Sequence, residues 1–153
     1  MDDAAAEMGR ELPTGQRILA LDLGEKRIGV AVSDETHLIA RSHTVFERRS
    51  RAADFAQIAK IVDKEKVGFL VVGLPVEMDG AEGPLALWVR DYSAALAAHL
   101  KLDYALWDES FTSKQASASM RARGIRARDQ KEWIDAVAAA FILQDYLDAQ
   151  GRR

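Results

Sequence analysis

The sequence predicts an α/β protein: a mixed sheet that opens with an antiparallel hairpin and carries helices on both faces. Three observations support this. Two apolar runs, residues 17–23 and 27–33, stand only a Gly24-Glu25-Lys26 connection apart. That is the signature of consecutive strands paired as a hairpin. After residue 50 the apolar period changes from two to about 3.6 and then alternates with short continuous apolar runs. Two strand–helix–strand crossovers in one chain build a sheet flanked by helices.

Residues 1–15 are rich in alanine and acid, end in Pro13, Thr14 and Gly15, and read as a flexible tail. Residues 16–150 then form a single domain, a length able to bury roughly two-thirds of its unfolded surface. RILALDL (17–23) is a buried strand, apolar on both faces except at Asp22, and RIGVAVS (27–33) is its partner. A third strand is expected within residues 37–46, where alternation is imperfect. Phe55, Ile58, Ile61 and Val62 share one face of a helix over residues 50–65. VGFLVVG (67–73) suits a central parallel strand, closed by Gly73 and Pro75. Residues 74–84 form a loop, with Pro84 at a first helical position. Leu85, Trp88, Tyr92 and Leu96 space a helix to about residue 100, and Tyr104–Trp107 make a fifth strand. Thr112 and Gln115 match a capping box, Gly124 suits a helix stop, and a last helix runs from about 130 to 149.

Charge is laid out unevenly. The 153 residues carry a formal net charge of −3, and residues 1–11 alone contribute that amount. Residues 114–131 hold Lys114, Arg121, Arg123, Arg126, Arg128 and Lys131 against Asp129. Residues 41–51 hold Arg41, Arg48, Arg49 and Arg51 against Glu47. Binding follows the local field, so an overall acidic balance leaves nucleic acid open as a partner, although charge runs more often face water. Cysteine is absent, which removes disulfides, thiolate zinc sites and cysteine nucleophiles. No apolar run is long enough for a membrane span, and the start lacks the order of a signal peptide, so a cytoplasmic protein without a membrane is expected.

Three acidic positions stand in apolar settings. A carboxylate at Asp22 is costly unless paired, hydrogen-bonded or bound to a metal, or unless it forms the turn at Gly24. Asp135 lies in WIDAVAAAFIL, where Ala138 and Ala139 would let a helix approach a sheet; a first-turn position stabilised by the helix dipole is the alternative. Asp108 and Glu109 follow the fifth strand, at the end where open α/β sheets gather their sites, although Asp108 could also serve as a turn residue. Three converging carboxylates would select a hard cation, Mg²⁺ or Mn²⁺, over zinc. The three histidines show no ligand spacing, and no nucleophile-elbow, zincin or P-loop motif is present. An oxygen-only two-metal centre beside basic clusters points to phosphodiester hydrolysis.

LDLGEKRIGVAVSD (21–34), VVGLPVEMDGAEGP (71–84), WDESFTSKQA (107–116) and IDAVAAAFILQDYLD (134–148) resemble the YqgF family in order and spacing. Its members are described as pre-16S rRNA nucleases or Holliday junction resolvase-like proteins. The resemblance covers about residues 16–149. It implies a ribonuclease H-like fold: a five-stranded mixed sheet, three antiparallel strands and then two parallel, flanked by helices. It also implies Asp22, Glu109 and Asp135 as a metal-binding acidic triad, with Asp108 in reserve for the middle position. Lys26, Arg27 and the loop from Gly73 to Gly80 fall in family motifs and would touch the nucleic-acid backbone. Lys114 and the basic run Arg121, Arg123, Arg126, Arg128 and Lys131 would grip phosphates. The family commonly has an arginine where this chain has Ser110, and Lys114 is the substitute cation.

The leading expectation is a nuclease that processes the 5′ end of pre-16S rRNA in ribosome biogenesis. Structured RNA, branched DNA and the ribosomal particle are its partners, and a monomer or weak homodimer is expected. A Holliday junction resolvase and a non-catalytic nucleic-acid-binding module are the alternatives. An actin-like ATPase would need two such domains, for which the chain has no room.

Overall fold

The computed structural model describes residues 15–75, 82–108 and 127–151, with side chains in the last helix described from residue 133 onward. Five strands form one sheet: β1 (Arg17–Leu23), β2 (Arg27–Ser33), β3 (Ala40–Glu47), β4 (Val67–Leu74) and β5 (Asp103–Asp108). Their spatial order is β3-β2-β1-β4-β5. β1–β2 and β2–β3 are antiparallel, whereas β1–β4 and β4–β5 are parallel. The helices are α1 (Arg51–Glu65), α2 (Pro84–Leu100) and α3 (Ala127–Gly151). The expected mixed sheet, three antiparallel strands and then two parallel, is the observed one. All of the tail expected at residues 1–15 except Gly15, and the helix expected from Thr112 to Gly124, lie outside the described residues.

Alternation within the strands divides the core in two. Leu19, Leu21, Val30, Leu70, Val72 and Leu106 pack beneath α1 and α2. Ile18, Ala20, Ala31, Phe69, Val71 and Ala105 pack beneath α3. β1 and β4 are therefore apolar on both faces, as central strands must be when helices cover each side. Local chemistry sets the ends of α1 and α2. The Ser50 hydroxyl accepts from the Ala53 amide at 3.1 Å, and Lys66 closes α1 in the left-handed region with φ 55°. Pro84 opens α2.

β3 starts three residues later than the earliest expected position because Asp34 fastens the preceding turn. Its carboxylate accepts from the amides of Thr36, Leu38 and Ile39 and from the Thr36 hydroxyl. His37 takes φ 61° within that turn, and its ring meets the Gln16 carbonyl. These bonds, chiefly the Ile39 amide and the Thr36 hydroxyl, hold the Asp34 carboxyl well below the usual carboxylate range.

α3 is tied to the sheet at several points. The Gln144 amide group accepts from the Ala40 N–H and donates to the Leu38 carbonyl, each at 2.9 Å. Trp107 Nε1 donates to Asp145 Oδ2 at 2.7 Å, and the Trp107 ring meets Tyr146 edge-on. At Gly29 the contact is closest. A Cβ on that residue would lie 2.0 Å from the Asp135 carbonyl oxygen.

Gly29→Ala should therefore cost about 1–3 kcal/mol in urea unfolding, because backbone rather than a flexible side chain must move. Asp34→Ala should cost about 1 kcal/mol near neutral pH, comparable to losing a capping side chain. The Asp34 carboxyl is depressed in the folded state, so its contribution is present above pH about 4 and falls away in acid. Wild type and Asp34→Ala should therefore converge in thermal stability as pH drops below 4. A gap unchanged in acid would remove the carboxylate from the account.

Candidate active site

Asp22 lies inside β1, in register with Gly29 of β2, so it is a ladder residue rather than the turn former. Pleat alternation sends Asp22 to the same face as Ile18 and Ala20, the face covered by α3. Asp22 is half-buried there. Gly29 is the residue against which the Asp135 backbone rests. One glycine is thus flanked by Asp22 through the ladder and by Asp135 through the helix contact. The approach is possible because the helix surface behind Asp135 is made of Ala136, Ala138 and Ala139, all buried. α3 begins at Ala127, so Asp135 sits in the third turn and not in the first, and the helix dipole does not account for it.

Arg27, the first residue of β2, reaches this point. Its Nε donates to Asp135 Oδ2 at 3.2 Å, with the arginine side chain 45% exposed and the aspartate side chain 23% exposed. Lys26 is exposed in the preceding turn. Asp108 ends β5 in register with Leu74. It alternates with Leu106 and Tyr104, which pack with the α1–α2 core, and so belongs to the face away from Asp22. Glu109, Ser110, Lys114, Arg121, Arg123 and Arg126 lie outside the described residues, as does the part of the Gly73–Gly80 loop beyond Pro75. Arg128 and Lys131 fall within α3, but their side chains are not among those described. Among the described residues no group of three or more histidine and acidic side chains comes together.

Most of the basic cluster at residues 41–51 is committed to structure. Arg41 Nη2 pairs with Glu65 at 3.0 Å, and Arg51 Nη2 with Asp91 at 2.8 Å. Arg48 donates to the carbonyls of Gly24 and Glu25, both at 2.9 Å, and covers the Trp88 ring at 4.3 Å. These arginines brace the β1–β2 turn, α1 and α2, in keeping with the plainer expectation for a charge run.

Sequence reasoning missed Trp133. It stands two residues before Asp135 and is 44% exposed. With Arg27, Thr44, Val45, Phe46 and Glu47 it lines a cavity of about 460 Å³ between α3 and the β3 edge. The available signal was the helical spacing of the tryptophan, four residues before Val137 and eight before Phe141.

The family model described as "RuvX: Holliday junction resolvase" matches residues 16–149. A relative from Anaeromyxobacter dehalogenans (strain 2CP-C), named "Putative pre-16S rRNA nuclease", is 47% identical over 132 residues, covering 86% of this chain and 96% of its own length. A relative of the same name from Paramagnetospirillum magneticum is 40% identical over 145 residues, covering 95% of this chain and 94% of its own. Among solved structures, T. thermophilus RuvC in complex with Holliday junction substrate superposes with TM-score 0.55 at 16% identity, over 89% of this chain and 96% of that one. The Fowlpox virus resolvase in complex with Holliday junction DNA superposes with TM-score 0.56 at 10% identity, over 87% of this chain and 97% of that one. At these identities the structural likeness speaks for the fold alone. The matched family model spans nearly the whole domain, and the chain belongs to the RuvX family of Holliday junction resolvases.

Proposed function

We propose that this chain is a divalent-metal-dependent nuclease that processes the 5′ end of pre-16S rRNA. The observation that carries this reading is the placement of Asp22 and Asp135 on either side of Gly29. Two carboxylates from opposite ends of the chain would not be brought to one backbone contact for packing, since each is costly beside an apolar core. The names carried by relatives at 40–47% identity supply the substrate.

The donor set fits a hard cation. Asp22 and Asp135 offer only oxygen, and both remain partly open to solvent. Arg27 already stands beside Asp135 as a cation, at 3.2 Å. Asp22, Glu109 and Asp135 would hold Mg²⁺ or Mn²⁺, with Glu109 preferred to Asp108 because Asp108 belongs to the opposite face. Bound metal would activate the attacking water and stabilise the leaving oxygen. The chain's own residues do the rest. The sheet and α3 fix the separation of the two aspartates. Arg27 orients Asp135, and its exposed guanidinium can turn to a phosphate with two parallel hydrogen bonds. Lys26, Lys114 and the basic run Arg121, Arg123, Arg126, Arg128 and Lys131 would hold the flanking backbone. A pre-ribosomal substrate places the protein in the cytoplasm beside the ribosomal particle, and trimming one strand end requires only one site, which suits a monomer.

A second reading, Holliday junction resolution, is favoured by the description of the matched family. Paired cuts in a junction need two coordinated sites and hence a homodimer.

Asp22→Asn, Glu109→Gln and Asp135→Asn should each lower metal-dependent cleavage by at least about a hundred-fold with the fold intact, since loss of even an outer-sphere partner of a metal ligand costs about 10–100-fold. The check is cleavage of an end-labelled precursor rRNA fragment and of a four-way DNA junction by the same preparations. RNA cleavage that disappears in the variants supports precursor processing, and symmetric junction cuts support resolution. Undiminished cleavage in any variant removes that carboxylate from the mechanism.

A further inference from the structure

Among the described residues, Trp133 is the one tryptophan of three whose ring makes no aromatic, cationic or hydrogen-bond contact. Trp88 lies under the Arg48 guanidinium, and Trp107 is bonded to Asp145 and packed on Tyr146. Trp133 instead presents nearly half its surface to solvent, on the wall of the 460 Å³ cavity between α3 and β3. That volume lies within the range of small-ligand pockets, about 300–1,000 Å³. Arg27 is shared between this cavity and Asp135, so the cavity lies beside the Arg27–Asp135 pair. An aromatic plane, an arginine and a polar strand edge fit a base that is not paired in a duplex, because only such a base offers a free face for stacking. Glu47, the cross-strand partner of Arg27 on β3, adds a carboxylate to the lining, and a carboxylate can accept a hydrogen bond from the amino edge of a base.

We infer that this cavity is a binding site for one unpaired nucleobase next to the phosphate that is cut, stacked on Trp133 and read by Glu47 through an exocyclic amine. The inference rests on the nuclease reading and adds the form of substrate: a duplex with a single-stranded extension, in which cytosine, adenine or guanine is preferred at that position over uracil or thymine. Arg27 would hold the adjoining phosphate while the base occupies the groove. The chemistry is shared by RNA and DNA.

The test is equilibrium binding by fluorescence anisotropy to labelled duplexes, either blunt or extended by four cytidines or four uridines, with deoxy versions of each. Asp22→Asn protein is used so that nothing is cut. Trp133→Leu in that background should weaken binding of the cytidine-extended duplex about 5- to 150-fold, the range for losing one base–aromatic stack, and should weaken the blunt duplex much less. Trp133→Phe should retain most of the affinity, and thermal melts confirm that each variant is folded. Tryptophan emission should be quenched by the extended duplex in the parent and not in Trp133→Leu. The preference for cytidine over uridine should disappear in Glu47→Ala. Equal losses on blunt and extended duplexes, or none, would overturn the base site while leaving the nuclease reading standing. Failure of the parent and of wild type to bind or cut any of these nucleic acids would overturn the nuclease reading, and the base site with it. Matching results on the RNA and DNA arms would show that the base alone is read, whereas a response confined to one arm places the site on that nucleic acid.

Discussion

The contact between the α3 backbone and Gly29 is the constraint on which the site depends. Strands β1 and β2 are paired in a fixed register, so the position of Asp22 is set by the ladder. The position of Asp135 is set by how closely a helix can lie on that ladder. A side chain at residue 29 would hold the helix off, and a larger residue than Ala136 would do the same from the helix side. Distance between the two carboxylates is therefore decided by missing atoms rather than by an attractive pair. Packed interiors transmit such displacements because they have little free volume to absorb them. The ties made by Gln144 and Trp107 further along α3 act in the same direction, holding the helix axis over β3 and β5 while Gly29 admits its backbone.

Much of this was legible in the sequence, and the reasons are specific. β1 and β2 could be bounded because continuous apolar runs with a three-residue connection permit few other structures. Asp22 stood out because it interrupts such a run, and Asp135 because small residues surround it. β3 was legible only in part: the stretch from His37 to Ile39 has an apolar content that suggests strand, but the Asp34 carboxylate captures two of its amides first. Side-chain competition of this kind leaves no trace in hydrophobic periodicity. The face that Asp108 takes turned on strand parity, which needs the register of β5 against β4. Trp133 was passed over because an aromatic residue at helical spacing reads as core, and only the position of the β3 edge shows that one side of it is uncovered.

Local charge counts were a weaker guide than individual partners. The arginines at positions 41, 48 and 51 raise the local charge, yet each is held by a carboxylate, a carbonyl or an aromatic face. Arg27 lies outside both clusters and is the arginine that meets the site. A single cation held against a partly buried carboxylate bears on that carboxylate more than several held elsewhere, since interactions between exposed charges are screened beyond about 8–10 Å at ordinary ionic strength.

The pairing of Arg27 with Asp135 joins residues 108 positions apart. Asp22, Arg27 and Gly29 precede every described helix, whereas Asp135 belongs to the last described one. The sheet that carries Asp22 can pair before α3 exists, but the second carboxylate arrives only when that helix docks. A chain whose sheet has paired but whose α3 has not yet docked thus carries no assembled pair of acids, and the order of folding sets when the two carboxylates first meet.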